Sequence, residues 1–86
     1  MRHVIVYRSA KVADMYLFVD QHEGLERVPQ GLLTRFGKPV EAMRLELTAE
    51  RRLSRSDAPA VLDAIASRGF YLQLPPAVDS ADFRRE

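Results

Sequence analysis

The sequence has no cysteine. That excludes disulfides, thiolate zinc sites and cysteine nucleophiles together, and it suits a reducing compartment. Long apolar runs are missing too. The stretch from Met15 to Val19 falls far short of the roughly 20 residues that span a bilayer. The opening run, Val4-Ile5-Val6-Tyr7, is too brief for a signal-peptide core and Arg8 interrupts it. A soluble, cytoplasmic chain without membrane contact is expected. Neither sign of charge dominates, since thirteen basic side chains face twelve acidic ones. Bulk charge therefore draws neither nucleic acid nor membrane, and a nucleic-acid domain usually carries a clearer basic excess. The four glycines are scattered singly, so phosphate-loop and dinucleotide signatures are absent.

What remains is enough for one small domain of 86 residues with an ordinary apolar fraction of 47%. Residues 3–8 read as a first strand, because β-branched and aromatic residues fit a pleated surface. Val4 and Val6 lie on one face, Ile5 and Tyr7 on the other. Residues 15–19 repeat the pattern, with Met15, Leu17 and Val19 opposite Tyr16 and Phe18. Such strands need cover on both faces. Residues 9–14 form a hairpin loop, and Gly24 marks a turn in the polar stretch that follows.

Pro29 is expected in the first turn of a short helix carrying Leu32, Leu33 and Phe36, stopped by Gly37 and Pro39. Residues 41–47 alternate, with Met43, Leu45 and Leu47 opposite Arg44 and Glu46, as in a half-exposed strand. A short extended piece around Leu53 is expected in the polar stretch 48–55. Asp57 is a good N-cap for the clearest helix, residues 58–68, whose stripe is Ala58, Val61, Leu62, Ile65 and Ala66. Gly69 closes it. Residues 70–74 form the last strand, ended by Pro75 and Pro76. The order strand, strand, helix, strand, helix, strand indicates an α/β sandwich with helices on both faces of one sheet. Residues 1–76 form the domain, and residues 77–86 a loosely held tail that Phe83 could tie back.

No catalytic constellation emerges. His3 stands at a strand edge and His22 in a loop with Asp20 and Glu23, without the compact spacing of a dedicated metal site. Ser9 has neither a base nor nucleophile-elbow glycines beside it, and a turn serine bonding its own backbone is the ordinary reading. No enzyme activity, cofactor or metal is expected. The most suggestive cluster is Arg51, Arg52 and Arg55, joined by Lys11 and Arg8 if the fold allows. Arginine suits phosphate through its planar fork, but interspersed charges usually mean a solvated surface paired with neighbours such as Glu46, Glu50 and Asp57. Most strand aromatics read as core, with Tyr7 and Tyr71 the candidates for a wet hydroxyl at a sheet edge. Pro75-Pro76 fits either a docking segment or a simple strand terminator.

Several of these pieces together resemble one family. Tyr7-Arg8-Ser9 with Lys11, Tyr16-Leu17, Val28-Pro29, Phe36-Gly37 with Pro39, Ala42-Met43, Asp57 and Tyr71-Leu72-Gln73-Leu74-Pro75-Pro76 resemble YcgL-domain proteins over residues 4 to 76. The resemblance implies a small bacterial α/β/α sandwich, with no catalytic residues to carry over. Members encoded near a ribonuclease D add an association with RNA-related work, without a physical mechanism. Two functions are thus expected in competition. The first is a non-catalytic domain binding a protein partner through Tyr71 and the Leu74-Pro75-Pro76 exit. The second is RNA or single-stranded nucleic-acid binding through Arg51, Arg52 and Arg55, with affinity that falls with salt.

Overall fold

A computed structural model describes residues 2–53 and 56–75. Arg55, Pro76, Phe83 and the boundary between residues 76 and 77 lie outside the described residues. The elements follow in the expected order: β1 (Arg2–Ser9), β2 (Tyr16–Asp20), α1 (Gln30–Phe36), β3 (Pro39–Leu47), α2 (Ala58–Arg68) and β4 (Phe70–Gln73). The strands form one sheet in the order β3-β1-β2-β4, with every neighbouring pair antiparallel. Patterning alone did not reveal this order.

The two-faced strands β1 and β2 occupy the centre of the sheet. One face buries Val4, Val6 and Phe18 against Ala58, Val61 and Ile65 of α2, with Leu47. The other buries Ile5, Leu17 and Val19 against Phe36 of α1 and Val28. The chain is therefore a small α/β/α sandwich with a core on each side of one sheet. Cross-strand pairing keeps the faces in step: Val6 stands opposite Phe18, and Tyr7 opposite Leu17. Tyr71 meets Phe18 edge-on, with ring centroids 5.9 Å apart.

The ends of the elements depart from the sequence reading by one or two residues, the largest being β3, which opens at Pro39 where residue 41 is expected. Pro29 is the N-cap of α1 with extended backbone, one position before the first turn. Met15 precedes β2, and Leu74 lies beyond β4. In α2 the buried side is Ala58, Val61, Ala64 and Ile65. Ala66 faces solvent, because the centre of the contact lies one position round the helix from the expected stripe. Asp57 is the N-cap as expected, though its side chain makes no capping hydrogen bond. Leu53 belongs to no strand and instead packs against the α2-side core. Gly69 closes α2 with φ 93°, and a Cβ there would stand 2.5 Å from Cβ of Arg27. Both facts require glycine at that turn.

Candidate functional site

One helix is too narrow for one face of this sheet. Four strands spaced by about 4.8 Å span about 19 Å, whereas a helix covers roughly 10 Å. On its face, α2 lies across β4 and β2. The same face over β1 and β3 is left partly open. At one end of this face a cleft of about 260 Å³ opens across all four strands, lined by Val6 of β1, Tyr16 and Phe18 of β2, Ala42, Met43 and Leu45 of β3, Gln73 of β4, and Leu53. Its floor is apolar. Met43 keeps 52% of its surface exposed, which is unusual for a large apolar side chain on a strand flanked by core residues.

Local sequence builds this cleft. The pairing of β1 with β3 shifts between Val6 and Tyr7, so that Met43 and then Glu41 are the successive partners. Ala42 is the extra residue of a bulge, and it lines the cleft beside Met43. The segment after β3 folds back so that Leu53 forms another wall. Gln73, at the end of β4, accepts a 2.6 Å hydrogen bond from the Ser56 hydroxyl through Oε1. That bond holds the approach to α2 against the last strand.

The residues singled out from sequence divide between the two faces. Arg8 pairs with Tyr16 on β2 and Val40 on β3, which puts it on the cleft face beside a lining side chain. It is exposed, as are Arg51 and Arg52 on the segment leading to Leu53. Neither Arg51 nor Arg52 makes an ion pair among the described residues. The cleft thus combines an apolar floor with nearby arginines. Tyr71 is on this face too, but its ring is spent on Phe18 in the core. Pro75 is half-buried just past Gln73, while Leu74 is 61% exposed. Tyr7 and Lys11 are elsewhere. Tyr7 packs against the α1-side core, and Lys11 closes over Gly37, where an added Cβ would stand 2.7 Å from its own Cβ.

Two of the groups weighed for catalysis or metal binding, Ser9 and Asp20, have structural work. Ser9 is buried, and its hydroxyl donates to the Phe36 carbonyl while accepting from the amides of Lys11 and Val12. Asp20 accepts from Arg2 through Oδ1 at 3.1 Å and from the amides of His22 and Glu23 through Oδ2 at 2.9 and 3.2 Å. Partial burial opposes its ionisation, but the two amides and the Arg2 guanidinium outweigh that and hold its carboxyl below the ordinary value. Because the folded value is lowered, the stabilisation is complete above the unfolded value, about 4, and is lost as pH falls through the folded one. Asp20→Asn is expected to cost about 1–2 kcal/mol at neutral pH in urea unfolding. The gap between wild type and variant should narrow below about pH 4.

At this point the comparison with known sequences is decisive. Residues 4–76 match the family profile described as YcgL domain. The chain belongs to the YcgL-domain family. A YcgL domain-containing protein of Cellvibrio japonicus is 52% identical over 71 residues, covering 83% of this chain and 72% of the relative. One from Pseudomonas putida is 50% identical over 74 residues, covering 86% and 76%. Another from Hahella chejuensis is 45% identical over 78 residues, covering 91% and 74%. The matched YcgL region contains every described wall of the cleft, from Val6 to Gln73.

Sequence reading missed the cleft because alternation puts Met43, Leu45 and Leu47 on one face of β3 without showing which of them α2 covers. A signal was available. Two helices, one of about two turns, cannot cover both faces of a four-stranded sheet, and the strand at the end of the sheet keeps the uncovered apolar residues.

Proposed function

We propose that this YcgL domain is a non-catalytic interaction module that docks a segment of a partner protein in the cleft floored by Val6, Phe18 and Met43 on the α2 side of the sheet. The open apolar floor carries this reading, above all Met43, half-exposed beside Val6 and Phe18 of the core. Interfaces gain most of their binding energy from a few apolar or aromatic anchors that fill such a hollow. Arg8, Arg51 and Arg52 favour a segment with acidic residues beside its apolar anchor, and they would steer its approach. Leu74 and Pro75 follow Gln73, one of the cleft walls, at the end of β4. The lack of cysteine suits action in the cytoplasm.

A linear peptide library selected on the whole protein tests this directly. Peptides with an apolar anchor and acidic flanks are expected, and Met43→Lys should weaken them about tenfold or more, because a charge would enter the apolar floor. Equal retention of every selected peptide by Met43→Lys would move docking off the cleft. The exposed Arg51 and Arg52, without ion-pair partners among the described residues, favour a second reading, RNA or single-stranded DNA binding. Fluorescence anisotropy at two salt concentrations separates the two. Salt-sensitive binding that disappears in Arg51→Ala with Arg52→Ala would place nucleic acid first.

A further inference from the structure

β3 is the end strand of the sheet, and among the described residues no strand pairs with its outer edge. An edge of this length is a template for another strand unless something blocks it. The first half of β3 is blocked, by Pro39 and by the bulge at Ala42. Residues 43–47 carry neither device. Their pairing with β1 places Met43, Leu45 and Leu47 on the α2 side, opposite Val6, Val4 and Arg2. It places Arg44 and Glu46 on the α1 side, opposite Ile5 and His3.

This five-residue edge is complementary to itself. When two copies run antiparallel and the pair is centred on Leu45, Leu45 faces Leu45 and each Met43 faces a Leu47. On the opposite side each Arg44 then faces a Glu46. Opposite charges directly across a strand pair stabilise it, and like charges destabilise it. Other registers fail. Centring on Arg44 sets the two guanidinium groups against each other, and centring on Met43 sets Glu41 against Leu45. Arg44 already holds Glu41 through bonds of 2.7 and 3.2 Å, but its five N–H donors allow a second carboxylate. Arg44 and Glu46 are both more than half exposed, so the pairing needs no rearrangement of the core.

We infer that two copies of this chain associate through residues 43–47 of β3, joining their four-stranded sheets into one continuous sheet. The association is isologous, with a twofold axis through the Leu45 pair. It brings the two clefts side by side on the same face. The contact is short, so the dimer is weak and concentration-dependent.

Charge exchange tests this without touching the cleft, because Arg44 and Glu46 lie on the other face. Sedimentation equilibrium from submicromolar to near-millimolar concentration should show a monomer–dimer equilibrium for the wild type. Arg44→Glu and Glu46→Arg should each weaken self-association about tenfold or more, since each sets like charges together twice. An equimolar mixture of the two variants should regain the dimer, because every facing pair is again opposite in sign. Circular dichroism verifies that each variant is folded, and the mixture needs no third substitution. A wild type monomeric across the whole range overturns the inference. So does a dimer that neither variant weakens, or a mixture that stays monomeric. Peptide binding in the cleft is read separately, so loss of one property leaves the other measurable.

Discussion

Phe36→Ala is expected to abolish the cooperative unfolding transition of this domain. Phe36 is the last residue of α1 and is completely buried among Ile5, Leu17, Val19 and Val28. Deleting an aromatic side chain from such a core costs about 3–5 kcal/mol, from lost burial and from the cavity that remains. A domain of this size holds only about 4–13 kcal/mol in total. The helix itself has no reserve, since it has seven residues and its N-cap proline makes no side-chain capping bond. Losing Phe36 therefore undocks α1 and opens the whole α1-side core. Thermal denaturation followed by circular dichroism should lose its sigmoid. A melting temperature lowered by only a few degrees would mean that α1 contributes little.

Ser9→Ala is expected to cost about 3 kcal/mol, far more than a turn serine ordinarily does. The buried Ser9 hydroxyl joins three backbone groups: the Phe36 carbonyl and the amides of Lys11 and Val12. Alanine leaves all three short of a partner, and a buried polar group without one costs about 1–3 kcal/mol. The same hydroxyl ties the β1–β2 loop to the end of α1, so the effect reaches beyond the turn. Urea unfolding measures the total, and faster amide exchange at Lys11 and Val12 would localise it. A loss below about 0.5 kcal/mol, within the range of ordinary surface substitutions, would contradict this role.

The sequence reveals the elements and their faces because those depend on neighbours in the chain. Val4-Ile5-Val6-Tyr7 announces a strand covered on both sides, and Gly69 announces a helix end with positive φ. Strand order depends on contacts distant in sequence. Nothing local tells β3 to pair with β1, or β4 with β2. That order in turn decides what Met43 does. In a central strand it would be core, whereas at the end of the sheet it becomes the exposed floor of a cleft. The arginines were visible as exposed charges, but their division from Tyr7 and Lys11 follows only from the folded sheet. Ser9 read correctly as a turn serine, although the reach of its hydroxyl to Phe36, 27 residues away, has no sequence signal.

The central claim is that the cleft around Met43 is a docking surface, and mapping a bound peptide by nuclear magnetic resonance tests it most directly. A selected peptide is titrated into isotopically labelled protein, and methyl and amide signals are followed at each step. Shifts concentrated on Val6, Met43, Leu45 and Leu53, with Ile5, Val19 and Val28 of the opposite face undisturbed, are the predicted result. Shifts concentrated on the α1 face would contradict the account.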